Sequence, residues 1–507
     1  MLMLTRYTFT RKSIPLQIKG LDNIFKFQPS IMKSCIITSC IIFAQAAIAQ
    51  PGNFVGAWEG KLDVGITLRI GFHFIKEGNA YITKMDSPDQ GVFGIPTDQT
   101  IISGDSVYIS LKKFNASFLG KMKNDSIIDG IFEQGKKFML LLKKVEKILS
   151  PIKPQTPIPP YPYISEDIFY FNKNKTIEFG ATLTYPFTDT TVDHFRTPVY
   201  PVIMLISGSG PQNRDEEILG HKPFAVIADY LTKKGFAVLR VDDRGTGKTT
   251  GSFETSTSAD FVEDVHAGVE YLKTRQNIDT GRFGLLGHSE GGMIAPIVAS
   301  QRKDINFIIL LAAPGIPIID LMTEQNIALL NSGGISIKTQ QSYGHLFKSL
   351  VSTIISATDS SVAKNNAGHI FNNWINRMDS SGLKELDIAT KEKQEVYLAG
   401  FVKGLNIPWY KYFMSFDPGP YLQNLKSKVL ALNGSRDIQV LSKSNLAGIR
   451  SALQKSKSSK YDVIELPGLN HLFQQCKKCT ISEYGELEET FSQNALNKID
   501  EWLKKNL

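Results

Sequence analysis

The chain has 507 residues, 42% of them hydrophobic and 21% charged, ordinary proportions for a soluble globular protein with room for two or three domains. Its formal net charge of +8 overstates its basicity, because six of the 57 basic groups but only one of the 49 acidic groups fall in residues 1–49. The remainder is close to neutral, which gives no support to nucleic-acid binding.

From the N-terminus, Met32 and Lys33 precede a short apolar stretch, residues 35–46, and then Ala47-Ile48-Ala49. A positive residue, a short apolar run and an A-x-A site make a signal peptide cleaved near Ala49, and the run is too short to anchor in a membrane. Translation is expected to start at Met32, with residues 1–31 a surplus extension, and the product is expected to be exported to the periplasm or beyond. No integral membrane segment is expected in the mature chain.

Residues 50–150 read as a small antiparallel β domain, a meander or barrel. Alternating runs at 66–74, 80–85, 106–111 and 137–142 are separated by Gly, Asp and Asn turns. Its aromatic residues suit a core better than a glycan-binding face. Six prolines between Pro151 and Pro162 mark residues 151–165 as an extended linker.

Residues 166–507 change character again. Two antiparallel strands are expected at 168–171 and 176–185. Strands then alternate with helices at 223–234, 259–274, 293–302 and 488–505, the pattern of a mostly parallel sheet covered on both faces. The strand Val202-Ile203-Met204-Leu205-Ile206 runs into Ser207-Gly208-Ser209-Gly210-Pro211, a small-residue loop able to turn amides toward a ligand. Gly245-Thr246-Gly247-Lys248-Thr249 resembles a phosphate loop, but Asp242 stands where that loop needs glycine. Asp242-Asp243-Arg244-Gly245 reads instead as a buried polar cluster, its arginine bracing neighbouring loops.

An apolar strand then enters Gly287-His288-Ser289-Glu290-Gly291 and leaves as a helix. A serine on so sharp a turn projects clear of strand and helix and reads as a nucleophile. Its activation needs a histidine base and an acid, in the chain order Ser, Asp or Glu, His. Between about 315 and 425 the strand pattern disappears, and a helical cap over the serine is expected, with Trp374, Trp409, Tyr410, Tyr412 and Phe413 as lining candidates. Asp437 then follows the strand at 428–433, and His471 follows the strand at 461–466. His345 and His369 fall in the polar stretch without strands and are the poorer bases. A tetrahedral oxyanion would meet the amides of Glu290 and Ser209, with Gly210 next in line; losing one such donor typically costs about 2.7–4 kcal/mol. After cleavage of the signal Cys476 and Cys479 are the cysteines left, spaced for a disulfide beyond the histidine loop but too few for a zinc site.

Taken together, Leu205-Ile206-Ser207-Gly208-Ser209-Gly210-Pro211, Arg240-Val241-Asp242-Asp243-Arg244-Gly245, the serine turn, Asn433-Gly434-Ser435-Arg436-Asp437 and Leu466-Pro467-Gly468-Leu469-Asn470-His471 resemble the α/β-hydrolase superfamily. More narrowly they resemble bacterial carboxylesterases of the serine-aminopeptidase-like branch. The resemblance spans about residues 167–507. It implies hydrolysis of carboxylic esters, usually of short acyl groups, without cofactor; a small-molecule or glycan-linked ester is the expected substrate, and no metal is expected. It implies catalytic roles for Ser289, Asp437 and His471, and an oxyanion hole from Ser209 and Glu290. A peptidase with the same triad is the first alternative, with Asp215-Glu216-Glu217 as a possible ammonium site. A non-catalytic glycan- or envelope-binding protein is the second.

Overall fold

The computed structural model describes residues 53–507 apart from 65–66, 79, 91, 150–152, 188–197, 358 and 406. The expected signal peptide and the start at Met32 lie outside the described residues. The chain forms two compact units that divide between Ile148 and Leu149.

The first unit is a nine-stranded sheet. Its strands are β1 (Gly56–Asp63), β2 (Thr67–Glu77), β3 (Ala80–Ser87), β4 (Val92–Pro96), β5 (Gln99–Ser103), β6 (Ser106–Leu111), β7 (Ala116–Asn124), β8 (Ile127–Gln134) and β9 (Lys136–Val145). Two runs of antiparallel hairpins, β1 to β4 and β5 to β9, are joined by β1 against β9. Alternation explains the fold: β7 buries Ala116, Phe118 and Met122 and turns Leu119 outward. Phe54, Trp58, Phe72, Phe74 and Phe118 fill the interior with Leu140 and Leu142, and burying each such side chain contributes about 1.5–3 kcal/mol. The outermost strands, β4 and β5, are consecutive in the chain. Between them the Thr97 amide donates to Thr83 on β3 and the Asp98 amide to Ser110 on β6, so the sheet curls toward closure.

The second unit opens with residues that fasten onto its own C-terminal part rather than standing free. Lys153 Nζ donates to the Gly485 and Leu487 carbonyls (2.9 and 2.6 Å), and Gln155 bonds the main chain of Thr490 and Phe491. Eight strands follow: β10 (Tyr163–Phe171), β11 (Glu178–Pro186), β12 (Tyr200–Ile206), β13 (Ala237–Val241), β14 (Ile278–His288), β15 (Phe307–Leu311), β16 (Lys428–Gly434) and β17 (Tyr461–Leu466). Their order is β10-β11-β13-β12-β14-β15-β16-β17. β10 and β11 pair antiparallel, as do β11 and β13; the pairs from β13 through β17 are parallel. The first strand begins at Tyr163, five residues before the stretch that alternation marks.

Helices α1 (Pro223–Lys233) and α12 (Gln493–Asn506) cover one face, packing Phe224, Ile227, Leu231, Leu496, Ile499 and Trp502 on Ile203, Leu205, Ile309 and Leu430. Met204 points the other way, against Gly268 of α2 (Ser258–Lys273). There α2 packs beside α3 (Gly291–Gln301). Between β15 and β16 the described residues hold helices and no strand: α4 (Ile318–Ser332), α5 (Ile337–Ser356), α6 (Ser360–Ile375), α7 (Ser380–Glu385), α8 (Lys391–Leu405), α9 (Pro408–Met414) and α10 (Gly419–Gln423). Three of these start on side-chain caps, Ser336, Asp359 and Asp379, each accepting from amides of its helix's first turn. α11 (Ser442–Leu453) follows β16. Among the described residues, no helix is long and apolar enough to cross a membrane.

Candidate active site

β14 ends at His288 and the chain reverses into α3 through Ser289, whose φ is 53°. A left-handed serine costs on the order of 1 kcal/mol and persists only where its surroundings over-determine it. They do so here. A Cβ on Gly287 would lie 2.0 Å from the Gly291 carbonyl oxygen, and one on Gly291 2.1 Å from that of Ile206, so strand, turn and helix meet without room for side chains. The Ser289 amide donates to Leu311 at the end of β15 (2.9 Å).

Asp437 lies in the turn after β16. Its Oδ1 accepts the amides of Gln439 and Val440 (2.8 and 2.9 Å), and its Oδ2 is 2.8 Å from His471 Nδ1, in the loop after β17. Both side chains are buried. Nδ1 donating to the carboxylate leaves Nε2 as the basic nitrogen. The His471 ring also lies 4.9 Å from that of His288, the residue before Ser289, and His288 Nε2 donates to the His471 carbonyl (3.0 Å). The structure thus brings Asp437 and His471 into direct contact and His471 against the serine turn. Among the described residues no hydrogen bond joins Ser289 Oγ to the imidazole. His345 and His369 sit on α5 and α6.

The loop after β12 is held from behind. Ser207 Oγ and the Gln212 amide donate to Asp243 (2.7 and 2.8 Å), and the Gly208 amide donates to Glu216 Oε1 (2.6 Å). Burial pushes the Asp243 carboxyl well above its usual range, reinforced by the charges of Glu290 and Glu216 and opposed by the bonds from Ser207 and Gln212. Among the described residues, neither the Ser209 nor the Glu290 amide is taken up by a protein acceptor. The Glu290 side chain turns away into the interior, where Oε1 accepts Ser258 Oγ (2.6 Å) and Trp409 Nε1 of α9 (2.9 Å). Its burial raises its pKa against the pull of those donors.

Arg244 grips Asp264 through Nε and Nη2 (2.7 and 2.5 Å), and Asp242 receives Arg214 and the Lys248 amide, the bracing cluster read from sequence. The acidic run 215–217 is spent on internal partners. Asp215 pairs with Arg240, Glu217 with Lys222, and Glu216 with Gly208 and His288. Cys476 and Cys479 form a disulfide, and the Glu483 carboxylate accepts the amides of Lys477, Lys478 and Cys479 beside it. Sequence reasoning offered Glu216 only as part of an ammonium site and Trp409 only as a cap-lining candidate, and missed the bonds of Glu216 with His288, of His288 with His471 and of Trp409 with Glu290. Their partners lie 72, 183 and 119 positions away, with no local signature.

A family profile described as "Serine aminopeptidase, S33" matches residues 222–351. Esterase EstD of Thermotoga maritima is 25% identical over 307 residues, covering 60% of this chain and 62% of its own. Human dipeptidyl peptidase 8 is 31% identical over 122 residues, covering 23% of this chain and 13% of its own. The chain therefore spans less than two thirds of the length of either relative. Among solved structures, an esterase of Pyrococcus furiosus, Pf2001, aligns at 13% identity with a TM-score of 0.40, covering 71% of this chain and 99% of its own. A hypothetical protein of Pseudomonas aeruginosa, PA2218, aligns at 13% identity with a TM-score of 0.41, covering 72% and 100%. Through the family match over residues 222–351, the esterase relative and the serine turn, the chain is similar to α/β hydrolases of the esterase and serine-aminopeptidase-like kind.

Proposed function

We propose that the protein is an exported serine esterase acting through an acyl-enzyme on small or glycan-linked esters, with short acyl groups preferred. Ser289 attacks the ester carbonyl while Nε2 of His471 takes its proton and returns it to the leaving alcohol; Asp437 fixes the imidazole's tautomer and steadies its positive charge. The amides of Glu290 and Ser209 receive the oxyanion. Water then repeats the sequence on the acyl group. The helices between β15 and β16 act as a cap that shapes the acyl pocket and excludes water. The observation that carries this reading is the 2.8 Å contact of His471 Nδ1 with a carboxylate already held by two amides, beside a strained serine turn.

Replacing Ser289 by alanine is expected to lower kcat on nitrophenyl acyl esters by roughly 10⁶ while leaving near-UV circular dichroism unchanged. A mutant that keeps most of the activity refutes the assignment. A peptidase reading needs a free anion for the substrate's ammonium group, and the pairing of Asp215, Glu216 and Glu217 within the protein weighs against it. Turnover of aminoacyl anilides at the ester rate would reverse that preference. Export rests on the signal-like segment from Met32 to Ala49.

A further inference from the structure

We infer that Glu216 and His288 form a buried carboxylate–imidazolium clamp that holds the oxyanion loop and the histidine loop in register, making both positioning residues for the reaction proposed above. The inference rests on that reading for its catalytic consequence, though not for the charge state of the pair. Glu216 has a left-handed backbone, φ 51°, that turns its carboxylate inward beneath Gly208. Oε1 accepts the Gly208 amide at 2.6 Å and lies 2.9 Å from His288 Nδ1, while His288 Nε2 lies 3.0 Å from the His471 carbonyl oxygen.

The partners decide the proton count. A carbonyl oxygen only accepts, and a carboxylate oxygen already receiving an amide only accepts, so each ring nitrogen of His288 must carry hydrogen. A neutral imidazole has one N–H and would leave one of the two contacts unmade. Moving the proton to Glu216 would put a hydroxyl oxygen, a poorer acceptor than a carboxylate oxygen, under the short 2.6 Å bond from the Gly208 amide, so the ion pair is the better-bonded arrangement. The two side chains are only 8% and 6% exposed. A buried charge of this kind survives only when paired, and removing either partner leaves the other uncompensated.

The clamp is built into the site's backbone. A Cβ on Gly208 would stand 3.1 Å from Glu216 Oε1 and 3.2 Å from Ser289 Cβ, so the oxyanion loop is wedged between clamp and nucleophile. Gly208, Glu216, His288 and the His471 carbonyl therefore link the loops after β12, β14 and β17 by a path that bypasses Asp437. The charged groups facing His288 are Glu216, from the loop after β12, and Asp437 and His471, from the loops after β16 and β17; Asp243, after β13, faces Glu216. Burial alone would lower the pKa of His288, but the charge and hydrogen bond of Glu216 outweigh it, with smaller contributions from the His471 carbonyl and Asp437, and the net direction is upward. A raised folded-state pKa contributes stability below the unfolded pKa and loses it as pH rises through the folded value, so the clamp opens on the alkaline side.

The test uses the full chain with ¹⁵N-labelled histidine. At pH 7 the His288 ring is expected to show two protonated nitrogens, and in Glu216→Gln only one. Glu216→Gln is expected to lose about 10–100-fold in kcat on nitrophenyl acetate with KM within about twofold, the cost of a site displaced by a fraction of an ångström. Its alkaline limb should move to lower pH, and Glu216→Asp should recover part of the loss. A singly protonated His288 in the unaltered protein at pH 7 overturns the inference, as does Glu216→Gln with full kcat and an unchanged pH profile. Should the unaltered protein hydrolyse no ester, the functional reading fails while the ring-nitrogen signals still decide the clamp.

Discussion

Two buried histidines behave in opposite ways because of what faces them. His288 meets a carboxylate, whereas His221 meets the Tyr484 carbonyl and the Thr490 hydroxyl, and burial pulls its pKa from 6.5 down to about 4. A depressed imidazole pKa means that between these values the unfolded chain binds a proton the folded one refuses. The associated stability is full above pH 6.5, is lost as pH falls toward 4, and is on the order of 3 kcal/mol. Urea unfolding at pH 7 and pH 4.5 should show this loss, and His221→Gln should show a shallower acid dependence; equal slopes would mean that His221 does not carry the effect. Ser289, Asp437 and His471 were proposed from the sequence because each ends a local pattern, an apolar strand followed by a turn. His288 was not, since it occupies the variable position of the serine turn and its role depends on Glu216 and His471, which only the folded sheet brings near it.

At the scale of elements, the stretch without strands between β15 and β16 was readable from composition, but the seating of its helices was not. One part of that seating is α9, a seven-residue helix whose Trp409 stacks on Phe413 with ring centroids 5.2 Å apart and donates to Glu290, the residue after Ser289. One indole nitrogen thus couples the proposed cap to the serine turn. Trp409→Phe keeps most of the packing and removes the donor, a change worth about 1 kcal/mol. A rise of several-fold in KM for longer acyl esters is expected, with phosphonate labelling of Ser289 within about twofold of normal. If KM is unchanged at every chain length, α9 does not help to shape the pocket. The first residues of the second unit show a different limit of sequence reading: the prolines indicate an extended path, and nothing local shows that Lys153 and Gln155 tie that path to residues more than 330 positions later.

For the whole molecule, the change in composition near residue 150 made the division into two units visible, and alternation made the first of them recognisable as antiparallel. The insertion of β13 between β11 and β12 was not legible, because strand order is set by helices crossing over the sheet rather than by any residue in the strands. If the proposed export holds, N-terminal sequencing of secreted material should begin at Gln50; a mature terminus far from that residue would contradict the proposed processing. The curl of the nine-stranded sheet bears on how the protein fares at high concentration. A strand at an open rim presents unpaired amides and carbonyls on which a stranger's backbone can lie down, the first step of aggregation. With β4 and β5 separated by only Thr97 and Asp98, and those two residues already bonded to Thr83 and Ser110, each rim is shadowed by the other. Neighbouring copies in a crowded solution therefore meet side chains before they meet main chain.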